Sequence, residues 1–199
     1  MSVKPAAWTV EKSETLYSDQ FVTHRVDRCI TERGKILDPY HVMHYNDWCN
    51  VIALTASGQI LVVEEYRHGV GRVVRGFPGG TVEPGEDPAL AMPRELEEET
   101  GYLAETWLRL PTVFSNASTN SNSTSNFIAL DAAPTGQLNF DDGETIAVFT
   151  LDPAQAIRDI FSGKWQINGL HSQALFMARE YARQHCKDEP RLRSLAQDL

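Results

Sequence analysis

Cysteine is scarce in this chain. Cys29, Cys49 and Cys186 are the only three, and no two of them stand in a C-x-x-C spacing. A disulfide framework or a zinc knuckle therefore has no support, and buried thiols are the simplest expectation. Positive charge is also short: 18 Lys and Arg face 27 Asp and Glu, a formal net charge of −9. That balance speaks against a nucleic-acid partner. It leaves room for a small phosphorylated molecule held through metal. No apolar run approaches the roughly 20 residues of a membrane span. Met1–Ser13 lacks a basic stretch followed by an apolar one, so a cytoplasmic protein with no membrane partner is expected. No internal repeat is present. No G-x-S-x-G occurs, which removes support for a serine hydrolase triad. A G-x-G-x-x-G fails as well, because Gly69-x-Gly71 is followed three residues later by Val74.

What is present is ordinary globular composition. The 199 residues are 42% hydrophobic and 23% charged, enough to bury one core without staples, with room for a small appendage. Short strands are expected at Thr9–Lys12, Phe21–Ile30 and Lys35–Tyr45, the last two joined by a turn at Thr31-Glu-Arg-Gly34. Cys49–Thr55 and Ile60–Tyr66 read as a strand pair joined through Ser57-Gly58. Gly69–Gly85 holds six glycines with Pro78 and Pro84 and reads as a long irregular loop. A helix is predicted over Pro88–Thr100, with proline in its first turn and Gly101 as its stop. Strands follow near Leu108–Phe114, Phe127–Leu130 and Thr145–Leu151, with a Ser/Asn/Thr-rich loop over Ser115–Asn126. Pro153 opens a helix ending at Gly163. A last helix runs from Leu170 to Gln184, with Leu170, Ala174, Met177, Ala178 and Tyr181 on one face. Strands and helices mix without β-α-β regularity, so the expected class is α+β: a mixed sheet flanked by helices.

The predicted helix at 88–100 carries the chemistry. Glu95, Glu98 and Glu99 stand at i, i+3 and i+4, so three carboxylates share one face, near the helix end where the macrodipole disfavours anions. Each of these terms costs a few tenths to about 1 kcal/mol. A helix set against its own electrostatics points to a missing cation, and an all-oxygen donor set selects Mg²⁺ or Mn²⁺. A solvated acidic face is the commoner meaning of such a run, and charge alone leaves both open. Pro93 is an oddity in this helix. It removes a bond to the Ala89 carbonyl, which predicts a kink or a late start.

The wider spacing is more specific. Gly80, five residues, Glu86, seven residues, Arg94-Glu95-Leu96, one residue, Glu98-Glu99, one residue and Gly101 together resemble the Nudix box of the Nudix hydrolases. The final apolar position is Tyr102. The resemblance implies that Glu95, Glu98 and Glu99 hold Mg²⁺ or Mn²⁺ with a carbonyl near Gly79. It implies that Arg94 pairs with Glu86 and lines up Glu95 or Glu98, and that Gly80, Glu86 and Gly101 are structural. More loosely, Val63-Glu64-Glu65-Tyr66-Arg67 is similar to a strand of the ADP-ribose pyrophosphatase branch, with Arg67 on a substrate phosphate. Asp141-Asp142-Gly143-Glu144 is similar to that branch's acidic loop, making Glu144 the first candidate base and Glu98 the second. Tyr40 lies on N-terminal strands similar to the branch's small β-domain and could stack on a base. Residues 1–46 would then be a dimerising β-region and 47–199 the hydrolase domain. A Glu usual in that branch stands here as Gly76, and Phe114–Asn122 lacks the branch's loop proline. The resemblance implies a Mg-dependent pyrophosphohydrolase, acting as a homodimer on a nucleoside diphosphate linked to another group, ADP-ribose or another nucleotide sugar. The alternative is a nucleotide-sensing module of the same fold that does not cleave.

Overall fold

The computed structural model describes residues 4–135 and 145–197. It divides into two compact units, one formed by residues 1–47 with 114–123 and the other by 48–113 with 124–199.

The first unit is a three-stranded antiparallel sheet in the order β1 (Thr9–Ser18), β2 (Thr23–Ile30), β3 (Ile36–His44). The turn between β2 and β3 closes with the Gly34 N–H on the Thr31 carbonyl at 2.9 Å. Every residue of β1 is exposed. The polar segment 114–123 belongs to this unit: Met43 N–H donates to the Thr119 carbonyl at 2.7 Å, and Ser121 N–H to the Met43 carbonyl at 3.0 Å. Side-chain turns such as Asn116 Nδ2 to Thr119 Oγ1 at 2.9 Å hold it together, as its Ser/Asn/Thr content suggests.

The second unit is a mixed sheet between helices. Its main path is β11 (Ile146–Leu151), β5 (Ile60–Arg67), β4 (Trp48–Thr55), β10 (Ser123–Pro134) and β8 (Tyr102–Leu103). Short strands β6 (Arg72–Gly76) and β7 (Gly79–Thr81) attach to β5 and β4, and β9 (Thr106–Phe114) to β10. β4 and β10 run parallel; the other registered pairs of this sheet are antiparallel. Cys49–Leu54 are all buried, because both faces of the sheet are covered and a doubly covered strand reads as a continuous apolar run. On one face Ile52, Ile60, Val62 and Ile128 pack with Ile157, Leu175 and Leu195, from α2 (Pro153–Phe161), α3 (Gly169–His185) and α4 (Arg193–Ala196). On the other face Val51, Ala53, Leu61 and Phe127 pack with Met92 and Leu96 of α1 (Pro88–Thr100). Among the described residues no helix is long and apolar enough to cross a membrane.

Four expectations need correcting. The stretch 69–85 is not irregular throughout, because Val73 and Val74 continue a hairpin with β5 and Gly79–Thr81 bond to β4. Ser123–Asn126 belong to β10, where Thr124, Ser125 and Asn126 are buried beside β4. The buried face of α3 is His171, Ala174, Leu175, Ala178 and Ala182. Leu170, Met177 and Tyr181 flank it half-buried, and the single turn α4 lies beyond the last predicted helix. Pro93 causes no late start: α1 runs unbroken from Pro88, with Asp87 capping the Ala89 N–H and Gly101 closing it in the left-handed region. All three thiols are free, Cys29 and Cys49 buried and Cys186 half-buried.

Candidate active site

The site is built where α1 faces the short strand β7. α1 buries Ala91, Met92, Leu96 and Thr100 on the sheet. That rotation turns Arg94, Glu95, Glu98 and Glu99 toward the Gly79–Thr81 side, because residues three and four apart share a helix face. Gly79 donates its N–H to Glu99 at 3.0 Å. At Gly80 a side chain is excluded by close approach: a Cβ there would lie 2.0 Å from Oε2 of Glu95.

Arg94 is the hub. Its Nη1 donates to Glu95 and to Glu98, both at 2.9 Å. Its Nη2 reaches Glu86 at 3.3 Å and the Thr81 carbonyl at 3.5 Å. Partial burial works against the Arg94 charge, but Glu86, Glu95 and Glu98 outweigh it and hold the guanidinium well above its ordinary range. Glu86 is held below the usual carboxylate range, first by the Glu83 N–H and then by Arg94.

Glu99 is of a different kind. It is half-buried and closely surrounded by protein, and this burial pushes its carboxyl up to about 8. Glu65 and Glu95 push the same way, while the Gly79 N–H and Arg67 oppose them. Glu65 and Arg67 both lie on β5, two residues apart, and form an ion pair. Glu95, Glu98, Glu99, Arg94, Glu86, Gly79 and Gly80 are thus brought together, with Arg67 and Glu65 beside them. Tyr40 belongs to the other unit, where its hydroxyl donates to the Ser118 carbonyl and its ring meets Trp8 edge-on at 5.6 Å. Glu144 lies outside the described residues. Cys49, whose thiol points at the Gly80 carbonyl at 3.5 Å, is pushed up to about 12 by burial, which makes it an inert thiol and not a nucleophile.

The donor set suits a hard divalent ion. Glu95, Glu98 and Glu99 offer only oxygens, and a carboxyl raised first by burial and then by Glu65 and Glu95, with Arg67 only partly opposing them, is one that a cation would relieve. In the present arrangement Arg94 occupies Glu95 and Glu98. Among the described residues no three His, Cys, Asp or Glu side chains already converge as a chelate.

Two contributors were not singled out from sequence. Glu65 was legible in principle, since strand alternation puts residues 65 and 67 on one face. His171 is brought against Gly76 and Phe77, with its Nδ1 3.3 Å from the Phe77 nitrogen. No local motif marks it.

Comparison with known proteins bears on the family and the fold. A family model described as NUDIX domain matches residues 47–168. Among curated proteins, the chain is 35% identical over 94 residues to the methanol dehydrogenase activator of Bacillus methanolicus, covering 47% of this chain and 50% of that one. It is 44% identical over 55 residues to the ADP-ribose pyrophosphatase of Bacillus subtilis, covering 28% and 30%. It is 35% identical over 96 residues to the ADP-ribose pyrophosphatase of Mycobacterium tuberculosis, covering 48% and 46%. These matches span half or less of each relative's length. A solved structure described as an ADP compounds hydrolase superposes with a TM-score of 0.81 at 23% identity, covering 96% of this chain and 100% of that one; this likeness is one of fold.

Proposed function

This chain belongs to the NUDIX family, and on that premise we propose that it is a divalent-metal-dependent pyrophosphohydrolase. Its substrate would be a nucleoside diphosphate linked to another group, ADP-ribose or another nucleotide sugar, and its products a nucleoside monophosphate and a phosphorylated remainder. The observation that carries this reading is the carboxylate ridge of α1, Glu95, Glu98 and Glu99, set against Gly79 and gripped by Arg94. The similarity to ADP-ribose pyrophosphatases supports the substrate class.

Glu95, Glu98 and Glu99, with the backbone at Gly79, would hold Mg²⁺ or Mn²⁺. A bound ion supplies charge neutralisation of the diphosphate and a more acidic water. The chain's own residues do the rest. Arg94 would set the carboxylates in line through its bonds to Glu95 and Glu98. Arg67, freed from Glu65, grips a phosphate oxygen through its planar fork. A carboxylate takes the proton of the attacking water, Glu144 first in candidacy and Glu98 second. Glu98 is the more exposed of the ridge carboxylates that Arg94 holds, its side chain 45% accessible against 15% for Glu95, so it is the freer to meet water. Tyr40 is proposed to stack on the base.

The three-stranded unit is proposed to join a second copy. Trp8, Val10, Leu16, Tyr17 and Phe21 are large apolar side chains left exposed on or next to β1. An exposed edge strand is a ready template for another chain.

The test is a panel of nucleoside diphosphate derivatives incubated with Mg²⁺, with products identified by mass spectrometry. Release of a nucleoside monophosphate from ADP-ribose or a nucleotide sugar is the expected result. Tight binding without cleavage would replace the enzyme by a sensing module.

A further inference from the structure

The segment Phe77-Pro78-Gly79 delivers the Gly79 N–H to Glu99, and it is tied down at three points. Gly79 itself donates to Glu99 at 3.0 Å. The Pro78 carbonyl accepts from Val51 N–H at 3.0 Å. The third tie comes from far along the chain: the Phe77 N–H points at Nδ1 of His171, near the start of α3. His171 is only 4% exposed. Its ring occupies the space where a side chain at position 76 would go: a Cβ on Gly76 would lie 2.2 Å from Nδ1 and 2.8 Å from Cε1. Glycine at 76 and histidine at 171 are therefore a matched pair. The ring accepts at Nδ1, so its neutral form carries the proton on Nε2. The residues matched to the family model end at 168, three short of His171, so this tie comes from outside the matched stretch.

We propose that His171 is a positioning residue of the active site: from α3 it accepts the Phe77 N–H, fixes the turn that presents Gly79 to Glu99, and requires glycine at 76. Without it, a buried backbone donor is orphaned two residues from Gly79, and the turn gains freedom where the carboxylate ridge needs a fixed partner. This rests on the proposed function only for its kinetic consequence.

Two substitutions separate the acceptor from mere bulk. His171→Asn places Oδ1 near the position of Nδ1 and keeps the acceptor; His171→Leu fills space without one. Native-state hydrogen exchange reads the structural claim with no reference to activity. The amides of Phe77 and Gly79 should exchange at least tenfold faster in His171→Leu, relative to amides of β10, and return toward wild-type rates in His171→Asn. Kinetically, with ADP-ribose and Mg²⁺, His171→Leu should lower kcat tenfold or more, raise the half-activating Mg²⁺ concentration at least fivefold and leave KM within threefold. His171→Asn should recover to within threefold of wild type. Gly76→Ala should lower Tm, and adding His171→Ala should restore much of that loss. Unchanged exchange at Phe77 and Gly79 in a folded His171→Leu protein overturns the proposal, as does a His171→Asn variant no better than His171→Leu. If the Leu variant does not fold, His171→Asn decides: wild-type exchange supports the proposal and tenfold faster exchange overturns it. A wild-type protein that cleaves nothing refutes the proposed function instead, and the exchange experiment still stands.

Discussion

Glu99 sits in an environment that opposes its charge. A carboxyl held at about 8 when folded, against an ordinary value of 4.5, keeps its proton in the native state at pH values where the unfolded chain has lost it. Metal-free stability must then fall as pH rises from about 4.5 to about 8 and level off above. Glu99→Gln removes this dependence. In EDTA it should be the more stable protein at pH 8, by on the order of 3 kcal/mol, with the gain vanishing near pH 4.5. Urea midpoints across that range measure it, and a gain that does not change with pH would refute the assignment. The same variant should lose metal-dependent turnover by about a hundredfold or more, comparable to losing a principal electrostatic contributor. Arg94 gives a second prediction. A lysine cannot reproduce a guanidinium fork that meets Glu86, Glu95 and Glu98 together. Arg94→Lys should therefore lower kcat by roughly 10- to 100-fold with little change in KM; steady-state kinetics at saturating Mg²⁺ would show it, and a wild-type kcat would remove Arg94 from the site.

At the scale of elements, α1 is the case where sequence and structure agree best. Pro88 in the first turn and Gly101 at the stop are local signals that act through their own backbone, and the structure adds the Asp87 side chain as the cap. Pro93 shows what local signals miss. A helix one side of which buries Met92 and Leu96 against the sheet tolerates one lost bond, because packing outweighs propensity. Pro93→Ala should restore the bond to Ala89 and stabilise the protein by about 1–2 kcal/mol with kcat unchanged. Chemical denaturation would check this, and a destabilised variant would show that the Pro93 ring itself contributes packing. β6 and β7 were illegible for the converse reason. The glycines and prolines in and around them read as loop, and only pairing makes them strands, β6 with β5 as a hairpin and β7 with β4 about 30 residues upstream. His171 escaped for the same reason: its partner, Phe77, lies 94 residues away. The box carboxylates were legible because helical periodicity alone places them on one face, while Glu65 needed the strand's alternation and its contact with Arg67.

For the whole molecule, the mixed sheet flanked by helices was legible in the irregular order of strands and helices, whereas the two-sided burial of β4 and the membership of 114–123 in the first unit were not. That segment has no apolar pattern of its own and is placed by backbone bonds to Met43. The first unit buries little beyond Asp27 and Cys29, so its proposed pairing with a second copy predicts a solution mass near twice 22.3 kDa by sedimentation. Leu16→Glu should shift that mass toward the monomer; a wild-type monomer at micromolar concentration would exclude the pairing. The proposed activity would depend on a prior event, the capture of divalent ions by anions that share one helical face. Calorimetric titration with Mn²⁺, in the presence of a non-hydrolysable ADP-ribose analogue, tests that directly. Saturable uptake by the wild type and its loss in the Glu95→Gln, Glu99→Gln double variant is the result expected. No uptake by the wild type, or equal uptake by both, would contradict it.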